Sequence, residues 1–552
     1  MCPNYFSGGS AFLLNTLDIT GDKMKDKLFS FGKKPKDEAW VKYTLPKIRY
    51  ADYRKTLPID EKAILLESQH GAEMLGNIFH LLKALSTDPK YKDYKLYLCC
   101  RGSKKNRFSY ILDNNGMKNV QLVELSTDEY IRALASSKYL INDNTFLPFF
   151  IKREGQVYLN TWHGTPLKTL GKSIKNAMHG IGNAQKNFAS ADYLLYPNKY
   201  TMEHMVEDYM LENITDAKCV LTGYPRNSAF FKEGLCETVR KSMEIPDGMK
   251  IYAYMPTWRG SVGDISGDAN ARLKEYLHQI DNALNDDERL YLNLHPIAVK
   301  DIDVKEFKRI RNIPVRFDTY DFLTSTDCLI TDYSSVFYDY AVSGKKCVLF
   351  TYDEEEYFAD RGVYMPLSDL PFPKVKCVEK LMEELRSPKQ YDDTAFINEY
   401  CFYDCLESSK NILDLMLFGK SSLKTEVENI PHNGKDNMLV YADTLDTEVI
   451  EELVNKPSLN DKNIFITFFA NDGKDNMCAL CNLPKGVNYF PIQTDVSADE
   501  DKAKIWKKLV SAKGLMLDDK AEIEVTGAFG NSKFSKAINL SGDEIKLSKY
   551  LK

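Results

Sequence analysis

From residue 60 onward the chain alternates short apolar runs with stretches whose apolar positions recur at helical spacing. Ala63–Glu67, Lys95–Cys99, Val120–Val123, Tyr139–Asn142, Val157–Asn160 and Tyr193–Tyr196 read as strands, and Glu73–Ala84 and Asp128–Ala135 as helices between them. Near-continuous apolar runs separated by helices predict an α/β fold, a parallel sheet with helices on both faces. A polar stretch, Lys241–Lys250, follows, and the pattern then restarts. Ile251–Met255, Leu290–Leu294, Cys328–Thr331 and Lys346–Phe350 are the next strands, with helices at Ala271–Leu284 and Ser335–Val342. A second polar stretch, Lys420–Asp436, precedes a smaller unit with strands at Met438–Tyr441 and Ile464–Phe469 and a helix at Asp499–Val510. The predicted organisation is an N-terminal segment over 1–60, α/β units over 61–235 and 236–420, and a C-terminal α/β extension over 430–552.

Length agrees with this division, since 552 residues exceed what one hydrophobic core supports. The composition is that of a globular protein, and a net charge of -6 argues against nucleic acid as a partner. Local basic clusters remain at Lys33–Lys36, at Lys104, Lys105 and Arg107, and at Lys168, Lys172 and Lys175. Clusters of this kind are ordinarily solvated surface, and contact with anionic lipid is the alternative. The 12 cysteines show no repeated spacing, and Cys478-Ala-Leu-Cys481 has no second pair nearby, so reduced thiols in a cytosolic protein are expected. No apolar run has the length of a transmembrane helix, and the first residues lack the pattern of a secretory signal.

The unusual polar residues fall at strand ends. Trp162-His163-Gly164-Thr165-Pro166, Gly223-Tyr224-Pro225-Arg226, Pro256-Thr257-Trp258-Arg259, His295-Pro296 and Asp332-Tyr333-Ser334-Ser335 each follow a predicted strand. Singly, each is ordinary turn or capping chemistry. Together they occupy the place where open α/β sheets bind ligands, the crevice beyond the carboxyl ends of the strands. Two sheets facing each other through those ends would gather all five turns.

The residue types indicate an anionic ligand. Ser334 and Ser335 open a predicted helix, whose first N–H groups favour a diphosphate. Pro166 suits the first turn of another, with Lys168 in its first turns. Arg226 and Arg259 can grip phosphate oxygens in pairs. Asp339, one turn after Ser335, faces the same place and can accept from a hydroxyl. His163 can take a proton from an attacking hydroxyl while His295 steadies phosphate charge. Asp318 and Asp321 read as turn-forming and capping residues, so the expected chemistry needs no metal clamp and no cofactor.

In order and spacing these segments resemble the CDP-glycerol glycerophosphotransferases, the bacterial teichoic acid primases and polymerases and related capsule polymerases. The matching stretches run from Trp162 to Lys168, Gly223 to Asn227, Pro256 to Arg259, His295-Pro296, Thr331 to Asp339, and Tyr357 with Arg361-Gly362-Val363-Tyr364. Glu67-Ser68-Gln69-His70-Gly71 resembles the family's first-strand motif, with Gln69 where an aromatic is usual. The resemblance implies a GT-B fold of two facing Rossmann-like domains, with the nucleotide mainly in the second. It implies transfer of a polyol phosphate from a CDP-polyol to a hydroxyl of a lipid-linked acceptor, releasing CMP, at the cytoplasmic face of the membrane. His163 is then the expected general base and His295 its partner at the pyrophosphate. Arg226, Pro256, Thr257, Ser334, Ser335 and Asp339 line the donor site. Gly164, Thr165, Pro166, Leu167, Arg259, Asn293 and Leu294 are taken with them as substrate-binding positions. CDP-ribitol as the donor, or a non-catalytic scaffold in a polymer-assembly complex, stand as alternatives.

Overall fold

The computed structural model describes residues 45–174, 178–257, 267–294, 302–360, 362–442, 451, 461–468, 477–484, 486–492 and 529–539. The expected helix Asp499–Val510, Arg259, His295 and Lys33–Lys36 lie outside the described residues.

The first sheet contains β1 (Asp60–Glu67), β2 (Lys95–Cys100), β3 (Val120–Glu124), β4 (Ser137–Asn142), β5 (Val157–Asn160), β6 (Tyr193–Tyr196) and β7 (Lys218–Leu221). The second contains β8 (Lys250–Met255), β9 (Glu288–Leu292), β10 (Ile310–Asn312), β11 (Cys328–Thr331), β12 (Lys346–Phe350) and β13 (Lys374–Val375). Their orders are β3-β2-β1-β4-β5-β6-β7 and β10-β9-β8-β11-β12-β13, parallel throughout. Each order reverses direction once, between β1 and β4 and between β8 and β11, which opens a crevice at the carboxyl ends of those strands.

Burial explains why the strands read as apolar runs. Cys328–Thr331 and Lys346–Phe350 are buried along their whole length, as in a parallel sheet covered on both faces. One side of the first sheet packs Ile64, Leu66, Leu98 and Ile141 against the helix Gly76–Thr87. Its other side packs Leu65, Leu140 and Tyr158.

The boundaries differ from those expected in two places. The helix Leu45–Thr56 belongs to the first domain, since Tyr50 enters its core and donates to the Ile151 carbonyl at 2.8 Å. The helix Ser408–Phe418 lies within the span expected for the second unit, yet Ile412, Leu413 and Met416 pack under the first sheet. β14 (Glu426–Asn429) then adds antiparallel to β7. Amphipathic spacing marks an apolar face without identifying the sheet that covers it.

The C-terminal extension forms a smaller parallel sheet from β15 (Asp436–Tyr441), β16 (Lys462–Thr467), β17 (Val487–Tyr489) and β18 (Lys536–Asn539), in the order β17-β16-β15-β18. Met438, Val440, Ile464 and Ile466 join the first domain's core, while Phe465, Phe490, Phe529 and Phe534 cluster with Ala189 and Ile214. The extension therefore rests on the first domain.

Candidate functional site

Beyond β5 the backbone turns sharply. Trp162 takes a left-handed φ of 48°, uncommon for a bulky residue. Asn160 accepts from the Trp162 N–H at 2.9 Å, and the indole is buried edge-on against Phe188. This turn sets His163 beside the Trp162 ring, with centroids 4.0 Å apart. The His163 Nδ1 lies 2.8 Å from the Asp143 carbonyl oxygen. A carbonyl only accepts, so Nδ1 carries the proton and Nε2 is the basic nitrogen of the neutral ring. Burial pushes the His163 pKa down to about 3, Arg226 adds to the depression, and the bond to Asp143 opposes it.

Arg226 lies between the sheets in the 3-10 turn Pro225–Phe231. One Nη donates to the His163 carbonyl at 2.9 Å and the other meets Asp339 at 2.6 Å. Its guanidinium sits over the rings of Tyr224 and Tyr320, 4.6 and 4.8 Å from their centroids. The Tyr320 hydroxyl donates to Asp339 at 2.8 Å, and the Asn227 amide donates to both Asp339 and Asp404. Arg226 and Asp339 were expected to face a ligand directly, but here each is the other's counter-ion. The Arg226 Nε remains a buried donor with no hydrogen-bond partner, so the guanidinium retains capacity for an anion.

Gly164 and Ser335 bring the two domains into contact. A Cβ on Gly164 would lie 2.6 Å from the Ser335 Oγ. Ser335 is the N-cap of the helix Val336–Ala341, its hydroxyl making no capping bond, and Ser334 beside it is buried. Thr257 donates its N–H to Asp332 at 2.8 Å, so Pro256-Thr257 and Asp332–Ser335 meet at the second sheet's crevice. Asn293 donates its N–H to the Tyr254 carbonyl at 3.0 Å, and Leu294 follows it, half-buried.

No helix follows Pro166, contrary to expectation. The segment crosses to the second domain, where Lys168 pairs with Val363 and the Thr169 N–H donates to the Gly362 carbonyl. Residues 362–364 bond the Thr169 and Leu170 N–H groups and the Leu167 carbonyl, so the segment runs extended where a helix was expected. Leu167 is buried in the second domain's core, and the Thr165 hydroxyl accepts from Asn198 and Thr201. Both side chains hold the crossing in place. Of the basic residues, Lys104 and Arg107 pair with Glu73, Lys172 pairs with Glu207, and Lys168 lies over the Tyr357 ring.

Sequence reasoning missed Asp143, Tyr320 and Asp404 and gave no role to Asn227, which ends one of the matching stretches. Asp143 follows β4 at a strand's carboxyl end, the same positional signal that marked His163. Asp318 does cap, accepting from the Tyr320 N–H, but it also spans the cleft to the Gly76 N–H at 2.9 Å and to His80 at 3.2 Å. Among the described residues no group of three or more His, Cys, Asp and Glu side chains is placed to hold a metal ion, and the cysteines are free thiols.

Residues 50–417 match the family model described as CDP-Glycerol:Poly(glycerophosphate) glycerophosphotransferase. The chain is 29% identical over 380 residues to the teichoic acid poly(glycerol phosphate) polymerase of Bacillus spizizenii, covering 65% of this chain and 93% of that one. It is 28% identical over 319 residues to the Staphylococcus epidermidis protein of the same name, covering 54% of this chain but only 44% of that longer one. Ribitol-phosphate enzymes also match, among them the B. spizizenii teichoic acid ribitol-phosphate primase at 25% identity. A structure of the wall teichoic acid polymerase TagF superimposes with a TM-score of 0.57 at 23% identity, covering 67% of this chain and 92% of that one. That likeness shows the shared two-domain fold.

Proposed function

The chain belongs to the CDP-glycerol:poly(glycerophosphate) glycerophosphotransferase family, and we propose that it transfers glycerol phosphate from CDP-glycerol to a hydroxyl of a lipid-linked acceptor, releasing CMP. The observation that carries this reading is the meeting of His163, Gly164, Arg226 and Ser335 where the carboxyl ends of the two sheets face each other.

Each residue's part follows from its surroundings. The acceptor hydroxyl attacks the phosphorus that bears glycerol. A new phosphorus–oxygen bond forms as the bond to the CMP oxygen breaks, and CMP leaves with that electron pair. His163 Nε2 takes the hydroxyl proton. A base held near pKa 3 is weak in the empty site, but the donor's diphosphate brings negative charge that favours the imidazolium. Arg226 offers its Nε to that charge, and Asp339 keeps the guanidinium oriented. Thr257, Ser334 and Ser335 line the donor side of the crevice. Arg259 and His295 are assigned to the diphosphate by their motifs.

A lipid-linked acceptor puts the reaction at the cytoplasmic face of a membrane. Among the described residues no helix is long and apolar enough to cross one, and peripheral attachment is the corresponding proposal. Sedimentation with anionic vesicles, lost at high salt, supports it; no binding at low salt removes it.

The activity is tested by CMP release from CDP-glycerol with a short glycerol-phosphate acceptor. Release by wild type, lost in His163→Ala with CDP-glycerol binding intact, is the expected result. Release from CDP-ribitol alone reassigns the donor, and release from neither favours a scaffold.

A further inference from the structure

His163 depends for its orientation on a residue that none of the sequence signals singled out. Asp143 touches the histidine through its backbone and the neighbouring turn through its side chain. Its carbonyl accepts from His163 Nδ1 at 2.8 Å. Its carboxylate accepts from the Ser68 hydroxyl at 2.6 Å and from the Gln69 N–H at 3.0 Å. The residue is 5% exposed, so water competes little for either bond.

The turn held by this carboxylate is strained. Gln69, His70 and Gly71 have φ values of 45°, 52° and 68°, three consecutive left-handed residues of which two carry side chains. L-residues avoid that region, and such a run persists only where its surroundings impose it. The Gly71 carbonyl accepts from the Arg101 N–H at 2.8 Å, and the His70 carbonyl from Arg101 Nε at 3.1 Å. Those contacts hold the far side of the turn, and Asp143 holds the near side.

The β4–β5 corner is fixed independently. Asn142 accepts from the Asn144 N–H at 2.5 Å, its carbonyl accepts from the Thr161 N–H at 2.9 Å, and Asn160 donates to the Asn144 carbonyl at 2.8 Å. Asp143 lies between that corner and the strained turn, so its side-chain bonds anchor one end of its peptide plane while the Asn144 N–H anchors the other. That N–H belongs to the same peptide unit as the Asp143 carbonyl, and Asn142 holds it at 2.5 Å. Without the carboxylate bonds the plane is tethered through Asn144 alone, and its hold on Nδ1 weakens.

We propose that Asp143 is a positioning residue of this site: its carboxylate clamps the Ser68–Gly71 turn, left-handed over Gln69–Gly71, and so helps to aim its own carbonyl at His163, holding the ring in the tautomer with Nε2 as the proton acceptor. This inference rests on the activity proposed above. It differs from an Asp–His pair in which the carboxylate itself meets the ring, because here the contact is the main-chain oxygen. The carboxylate's negative charge is therefore dispensable and its shape is not.

That distinction sets the experiment. Asp143→Asn keeps an oxygen for the Gln69 N–H and turns an amide toward the Ser68 hydroxyl, which can accept as well as donate. Asp143→Ala removes both bonds, and Ser68→Ala removes one. Groups that orient a metal-bound histidine typically cost about 10- to 100-fold when removed, and a factor of that order is expected for this histidine. The expected result is a kcat for CMP release lowered by that factor in Asp143→Ala, less in Ser68→Ala and little in Asp143→Asn, with KM and CDP-glycerol binding near wild type. Nitrogen-15 NMR of labelled histidine, assigned with His163→Gln, should show the Nδ1–H tautomer in wild type and Asp143→Asn and a mixture in Ser68→Ala. An unchanged kcat and tautomer in both alanine variants overturns the proposal, as does an Asn variant as impaired as Ala. If Asp143→Ala does not fold, Ser68→Ala and Asp143→Asn decide the question alone. Should wild type release no CMP from either donor, the activity reading fails, while the tautomer comparison still judges Asp143.

Discussion

Arg226 and Asp339 stand 2.6 Å apart, although one follows the last parallel strand of the first sheet and the other lies behind the crevice of the second. Both are almost fully buried. Removing one partner leaves the other as an isolated charge in a low-dielectric site, which costs about 3–5 kcal/mol. Arg226→Ala should therefore lose that much stability in urea unfolding, as well as activity. Arg226→Lys should not restore either, because one ammonium cannot reach both the His163 carbonyl and Asp339 in the geometry of the planar fork.

The approach of Gly164 to Ser335 supplies a steric test. A methyl on Gly164 meets the Ser335 Oγ and forces the domains apart at the reacting end of the cleft. Gly164→Ala should lower kcat/KM for CMP release by at least about tenfold, or ~1.4 kcal/mol. Adding Ser335→Gly should recover part of the loss if the clash is its cause. Steady-state kinetics of the single and double variants measure that coupling.

The depressed pKa of His163 has a definite sign. The unfolded chain takes up a proton at this histidine below about pH 6.5 while the folded chain does not until about pH 3. Its contribution to stability is therefore flat above pH 6.5 and becomes increasingly unfavourable as the pH falls toward 3. Asp143 and Asp404, raised by burial to about 6 and about 7, act in the opposite direction, since the folded state then holds their protons more tightly. Comparing wild type with His163→Gln isolates the histidine: the variant should gain relative stability between pH 6.5 and 4 in urea titrations. In activity, the acid limb of kcat/KM should lie well below the pH at which a free imidazole titrates.

Thr165 should separate scaffold from substrate contact. Its hydroxyl is buried and serves Asn198 and Thr201. Thr165→Val is expected to destabilise the protein by about 1–3 kcal/mol, the usual cost of leaving buried polar groups unpaired. The KM for CDP-glycerol should be nearly unchanged. A large rise in KM with stability preserved would instead place the hydroxyl on the donor.

The strands were legible because both faces of the parallel sheets are covered, which turns each strand into an apolar run bounded by turn residues. The convergence of His163, Arg226 and Ser335 was legible for a related reason: polar residues at the carboxyl ends of such runs have one topological place to go. Partnership was not legible. Nothing in the spacing of Arg226 and Asp339 distinguishes two ligands of a substrate from an ion pair. The extended course after Pro166 depends on residues 362–364, some two hundred positions away, and local turn chemistry carries no trace of them. Asp143 escaped notice because its functional atom is a main-chain oxygen, which every residue has.

The return of Ser408–Phe418 to the first domain means that, besides the excursion of Leu167–Thr169 into the second domain and back, the chain passes between the domains twice. The two passages touch. A side chain on Gly223 would strike Asp404, and Asp404 accepts from the Tyr224 N–H at 3.0 Å and from Asn227 at 3.0 Å. Two covalent tethers joined at one point act as a hinge pin, favouring a swing about that point over sliding or free twisting. The pin lies one residue from Arg226, so even a wide opening at the mouth of the cleft moves the guanidinium little. The proposed diphosphate contact thus sits near the axis of the motion, and the rim of the cleft travels farthest.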